Sequence, residues 1–208
     1  MATTRVTSPQ RARILDAITR VVADSGYESA TVADVVRAAG VSRTTFYEQF
    51  SSKEACFLAA YREALDALDD RIRAAVHATH GAGWRAQLRA GIRAYLDRLV
   101  QDDALARTFL HEVHAAGPAA LAFRDEAIRR FAERYHATYE QARALDPTLR
   151  EPPPDALYVL CAGTEQLAAE RLRSAGPQAL PALEDVFCAC AEALLLHHPE
   201  NHPEPEEP

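Results

Sequence analysis

Lys53 is the only lysine in a chain of 208 residues; every other basic side chain is arginine. It lies in the stretch VSRTTFYEQFSSKEA, from Val41 to Ala55, with Ser42, Arg43, Thr44, Thr45, Tyr47 and Gln49 close by. These side chains suit the chemistry of a double helix. Arginine bonds guanine O6 and N7, threonine offers a hydroxyl and a methyl for thymine, and a tyrosine hydroxyl reaches phosphate. Lys53 falls at the predicted first turn of a helix, where a cation is unfavourable by about 0.3–1 kcal/mol. The placement therefore predicts a partner from outside the chain, because an anion held there would face both the ammonium and the free N–H groups of the turn.

The elements that must position these residues are helical. Ala, Leu, Arg and Glu dominate, and no run sustains period-two alternation, so the fold class is all-α with about nine helices. Ser8 and Pro9 start a first helix, whose stripe of Ile14, Leu15, Ile18, Val21 and Val22 stops at Gly26. Thr31 with Asp34 makes a capping box for a second helix ending at Gly40, and Ser42 caps a third. Ser51 with Glu54 reads as a further box, ahead of a fourth helix from about Lys53 to His80. The second and third helices, joined at Gly40–Ser42, have helix-turn-helix spacing. Val32, Val35, Val36, Val41 and Phe46 meet inside, and Ala38 and Ala39 permit close approach.

Charge limits where a phosphate backbone can bind. The net charge is −7, yet residues 1–55 carry seven basic and six acidic side chains, while residues 56–208 carry sixteen and twenty-four. Only the first quarter of the chain tolerates a polyanion. The N-terminus has no signal-peptide core and no stretch approaches a membrane span, which predicts a cytoplasmic protein without a membrane partner. The four cysteines are too few for a disulfide framework and read as small buried residues.

The run TVADVVRAAGVSRTTFYEQFSSKEA, with Thr31, Gly40, Val41, Ser42, Tyr47, Phe50, Lys53 and Glu54 in register, resembles the N-terminal DNA-binding region of the TetR (tetracycline-repressor-like) family of transcriptional regulators. The resemblance covers roughly residues 8–60 and implies phosphate contacts for Tyr47 and Lys53. Thr31 would likewise give its hydroxyl and backbone N–H to phosphate, and Arg43, Thr44 and Thr45 are the candidates for reading bases, with Ser42 and Gln49 beside them. Arg5, Arg11 and Arg13 read as an arm. Glu48 departs from what a phosphate-facing position wants; it accepts from cytosine N4, pairs with Arg43 or points away.

The remainder reads as further helices over 84–100, 103–116, 118–145, 155–174 and 179–197, followed by a disordered acidic tail at 199–208. The division expected is a DNA-binding unit at 8–68 and a ligand-binding and dimerisation unit at 69–198. The last helix carries Leu183, Val186, Phe187, Cys190, Leu194 and Leu195 on one broad side and little polar surface opposite, so it must be covered twice. Packing of the last two helices against their copies satisfies that need. A two-fold dimer then presents its recognition helices about 34–36 Å apart, to an inverted-repeat operator. The resemblance also implies a small-molecule pocket among the middle helices, for which Trp84, Tyr95, Phe109, Phe123, Phe131, Tyr135 and Tyr139 are candidate walls and His111, Glu112, His114 and Glu165 candidate polar groups. HEVH lacks the i, i+4 pair of a zinc hydrolase, and no cofactor, metal or catalytic signature is read. The function expected is a homodimeric repressor released by a small-molecule effector. The alternatives are a helical enzyme using His111 or Glu165 as base, and an interaction module without DNA binding.

Overall fold

The computed structural model of the chain describes residues 8–153 and 155–196. Among them are no strands, and the helices run α1 Pro9–Ser25, α2 Val32–Ala39, α3 Arg43–Gln49, α4 Lys53–Ala78, α5 Trp84–Gln101, α6 Asp103–Leu110, α7 Pro118–Leu145, α8 Ala156–Ala175 and α9 Glu184–Leu196. The all-α reading holds, as do the starts of α1, α2 and α3. Ser8 accepts from Arg11 N–H, Thr31 forms the complete capping box with Asp34, and Ser42 accepts from Thr45 N–H. Gly40 closes α2 with φ 62°, the left-handed conformation that only glycine adopts without strain.

Three expected boundaries are corrected. The cap of α4 is Ser52, whose hydroxyl accepts from Ala55 N–H, and not Ser51. The sixth helix stops at Leu110 rather than continuing to Ala116, and Glu112–His114 tighten into a 3-10 turn. Tertiary partners override helix propensity here: Val113 is fully buried, and the Glu112 carboxylate accepts from the distant Tyr27 N–H. The last α-helix begins at Glu184 instead of Ala179, because Pro181 has no N–H to donate and its ring opposes an α-helical turn; Pro177–Leu183 is a 3-10 segment.

Two cores organise these helices. The first joins α1, α2, α3 and the first half of α4, through Ile14, Ile18, Val35, Phe46 and Phe57, and extends to Phe109, Val113, Ala120 and Ala127. The second joins α5, α6, α8 and α9. The N-terminal helices therefore do not fold over a core of their own. The boundary expected at 68/69 falls inside α4, which has neither Gly nor Pro and runs unbroken. The expected tail at 199–208, and Arg5, lie outside the described residues.

α9 is held from one side by charge as well as packing. Arg85, Arg89 and Arg93, one turn apart on α5, bond Glu192, Glu184 with Asp185, and Glu184 again. Phe187, Cys188 and Ala191 are buried between them. The expected broad apolar side divides: Leu183 and Phe187 are inside, whereas Val186 and Cys190 are exposed with Ala189, Ala193 and Leu196. Leu194 is partly buried, and the Leu195 side chain lies outside the described residues. The cysteine expectation is corrected likewise, since Cys56 and Cys188 are buried but Cys161 is only partly so and Cys190 is exposed.

The corrected cap is testable by urea unfolding: Ser52→Ala is expected to lower stability by about 1 kcal/mol, and Ser51→Ala to leave it within about 0.5 kcal/mol of the parent.

Candidate nucleic-acid interface and cavity

α3 turns Phe46, which is fully buried, into the first core. Helical rotation then places Ser42, Arg43, Thr44, Tyr47 and Glu48 outward, with Thr45 and Gln49 at the edge of the exposed face. Tyr47 is 51% exposed, and its ring meets Phe46 edge-on at 5.4 Å, which steadies a side chain whose hydroxyl faces solvent. Ser42 and Thr45 are less available than their types suggest. Ser42 caps the helix, and the two hydroxyls lie 2.9 Å apart. Glu48 makes no ion pair with Arg43 among the described residues, which removes one of its three readings.

Lys53 has partners within the chain. Its ammonium donates to the carbonyls of Tyr27 at 2.6 Å and Ala30 at 2.9 Å, and lies 4.2 Å from the centre of the Tyr27 ring. It therefore has internal partners, because carbonyls in the turn between α1 and α2 need donors and no helix supplies them. Burial pulls its pKa below the usual lysine value, against the opposing charge of Glu28. An ammonium carries three N–H groups, so one remains for an anion. Thr31 is held in the same way: its backbone N–H and its hydroxyl both donate to Asp34 Oδ2, at 3.2 and 2.6 Å, so both donors expected at phosphate serve the capping box. Arg11 lies over the Phe50 ring at 4.6 Å rather than on a loose arm, while Arg13 is exposed.

Between the cores lies a cavity with walls from α4, α5, α6, α7 and α8. Its volume for the centres of water-sized spheres is about 160 Å³, against roughly 10–15 Å³ for one water. Its walls are mostly apolar. On α4 they run from Tyr61 to Val76, a length of roughly 22 Å at 1.5 Å per residue. Of the candidate pocket residues, Tyr95, Phe109, Phe131, Tyr135 and Glu165 line it, and Trp84, Phe123, Tyr139, His111, Glu112 and His114 do not. Trp84 packs between apolar clusters with Arg85 over its ring. His111 holds Ala169 O through Nε2 at 2.9 Å, and His114 is exposed on the 3-10 turn. No group of three His, Cys, Asp or Glu able to hold a metal occurs among the described residues.

Part of the cavity wall is polar. Arg124 donates to Glu165 at 2.6 Å, and burial pushes the Glu165 pKa up against that arginine. Tyr95 presents a buried hydroxyl with no hydrogen-bond partner, and burial raises its pKa well above the usual value. Glu165 is thus held in an ion pair and His111 on a backbone carbonyl, and His111 does not line the cavity. The walls that sequence reasoning missed are chiefly on α4: Tyr61, Leu65, Leu68, Ile72 and Val76, with Arg124 and Arg134 opposite. Their signal was present as an apolar stripe at helical spacing continuing beyond the helix-turn-helix. Gly91 lets α5 approach α4 closely, since a Cβ there would stand 3.3 Å from Val76 and 3.5 Å from Ile72.

Comparison with known proteins points the same way. Residues 14–60 match the family model for bacterial regulatory proteins of the tetR family. Among curated proteins, the chain is 33% identical over 93 residues to the HTH-type transcriptional activator FasR of Mycolicibacterium smegmatis, covering 45% of this chain and 42% of that protein. It is 35% identical over 71 residues to the HTH-type transcriptional regulator YvdT of Bacillus subtilis, covering 34% and 37%. The matched stretch thus spans less than half the length of either relative. Among solved structures, the fatty acid degradation regulator FadR of Bacillus halodurans superposes with a TM-score of 0.79 at 20% identity, over 93% of this chain and 100% of that one. FadR of Bacillus subtilis, in complex with stearoyl-CoA, superposes with 0.74 at 19% identity, over 90% and 99%. These likenesses establish the fold. No helix among the described residues is long and apolar enough to cross a membrane. Residues 14–60, which build the helix-turn-helix, are similar to the tetR family of bacterial regulatory proteins.

Proposed function

We propose that the protein is a homodimeric transcriptional regulator that grips an inverted-repeat operator through α3 and is released by a small molecule in the cavity. The observation that carries this reading is the outer face of α3. With Phe46 buried behind it, Arg43, Thr44, Tyr47 and Gln49 project from a rigid support, and the charge balance confines a polyanion to this part of the chain. Arg43 and Thr44 read base edges, Tyr47 and the remaining N–H of Lys53 hold phosphates, and Gln49 borders the contact. Residues 8–68 form the DNA-binding unit, and 69–198 serve effector binding and dimerisation. The regulator acts as a repressor in the cytoplasm.

Dimerisation through α8 and α9 is supported by their outer faces. Val186, Ala189, Cys190 and Ala193 on α9, and Val159, Ala162, Gly163 and Gln166 on α8, follow the same i, i+3, i+4, i+7 spacing. The acids Glu184, Asp185 and Glu192 are already bonded to α5. The small outer residues permit a close helix–helix seam. For the effector, the long apolar cavity suits an extended chain, and the stearoyl-CoA bound to Bacillus subtilis FadR directs the choice toward long-chain acyl compounds.

Selection of bound sequences from random duplex DNA is expected to recover an inverted repeat. On that duplex, Lys53→Ala is expected to weaken binding to all sequences alike and to reduce the salt slope by about one. Arg43→Ala is expected to relax preference at one base pair of each half-site, by about 1–3 kcal/mol. Recovery of no sequence above the starting pool refutes the regulator reading.

Light scattering tests the seam. Ala193→Glu and Val159→Glu are each expected to convert the dimer to monomer and to lower operator affinity at least about tenfold, because one half-site contact is lost.

A further inference from the structure

Tyr27 is bonded through both of its backbone polar groups, in two successive peptides, by residues distant in sequence. Its N–H donates to Glu112 Oε2 at 2.8 Å, and its carbonyl accepts from Lys53 Nζ at 2.6 Å. The ring of the same residue lies under the Lys53 ammonium and meets Phe57 edge-on at 5.0 Å. Gly26, at φ 80°, takes a backbone conformation that favours glycine, and it lies beside the carboxylate: a Cβ there would stand 3.4 Å from Glu112 Oε2. The carboxylate reaches the amide because α6 ends at Leu110 and turns, which carries Glu112 toward α1.

The segment bearing Glu112 is also a wall of the cavity. Leu105, Ala106, Phe109 and Leu110 line it, immediately before the turn. α6 is tied to α1 a second time, by the fully buried Thr108, whose hydroxyl donates to Thr19 O at 2.8 Å. Phe109 stacks on Tyr61 at 4.7 Å and touches Phe57 at 5.6 Å, so cavity wall and turn belong to one packed group.

We infer that Glu112 is a positioning residue for Lys53: through the Tyr27 backbone it helps fix where the lysine stands, beside the second anchor on Ala30 O, and so makes DNA affinity depend on the placement of α6 at the cavity. This rests on the regulator reading above, with Lys53 at phosphate. While the Glu112 bond holds, the turn at 26–30 is fixed and Lys53 is held on the Tyr27 and Ala30 carbonyls. When α6 shifts, Glu112 withdraws, the Tyr27 carbonyl is no longer fixed, and the lysine loses its aim. Glu112 itself touches no nucleic acid.

A double-mutant cycle on the full-length protein, using the duplex that the parent selects from random DNA, tests this. Glu112→Ala is expected to weaken binding about tenfold and to shallow the salt slope as Lys53→Ala does. Combining the two is expected to weaken binding no further than Lys53→Ala alone, whereas combining Glu112→Ala with Arg43→Ala multiplies the losses. Glu112→Gln, which keeps an oxygen for the Tyr27 amide, is expected to restore parental affinity. If Glu112→Ala folds poorly, Glu112→Asp, one methylene short of the amide, replaces it in the cycle. Unchanged binding in Glu112→Ala or Glu112→Asp, multiplicative losses with Lys53→Ala, or no recovery by Glu112→Gln overturns the inference. Failure of the parent to select any duplex overturns the regulator reading instead.

Discussion

α4 is the constraint on which the rest of this fold depends. Its 26 residues contain no Gly or Pro, the usual origins of a kink, so the helix moves as one rod. One end sits in the same core as α3, through Phe57 and Phe46, and the other walls the cavity through Leu68, Ile72 and Val76. Ion pairs from α7 hold its middle: Arg130 to Asp66 at 3.1 Å, and Arg134 to both oxygens of the buried Asp69 at 2.5 and 2.6 Å. A displacement at the cavity cannot be absorbed along such a helix. It must appear at the recognition surface unless the packing on either side gives way.

The boundary between the DNA-reading part and the remainder is correspondingly tight. Thr108 bonds Thr19, Glu112 bonds Tyr27, and Phe109 and Val113 complete a core begun by α1. If such a molecule has two states, a ligand shifts their balance only by its differential affinity for them. The cavity meets that requirement in its composition. Its apolar length gains from almost any chain of matching girth, while the buried Tyr95 hydroxyl and the Arg124–Glu165 pair penalise a mismatched end.

Much of this was legible in the residues themselves. Caps at Ser8, Thr31 and Ser42, and the glycine stop at Gly40, act within one helical turn, so local chemistry located the first three helices and the face of α3. The same locality explains the misses. Ser51 and Ser52 are both good caps with little in the sequence to separate them, and the early end of α6 depends on partners of Glu112 and Val113 that are more than eighty residues away or buried in a shared core. Trp84 and His111 were plausible pocket residues by type, yet which side of a helix meets the void is settled only when five helices pack. Lys53 was read as incomplete because the carbonyls that complete it come from a turn some twenty-five residues earlier.

Gly91 gives the cavity a mechanical character beyond its shape. α4 and α5 approach closely there, since a methyl group at Gly91 would stand 3.3 Å from the Val76 side chain and 3.5 Å from that of Ile72. A guest wider than the slot would press on these side chains and, once they had yielded, would act as a wedge between the two helices. Girth, more than length, would then determine how far α4 pivots, so slender and bulky occupants of equal affinity would produce unequal responses at the recognition surface.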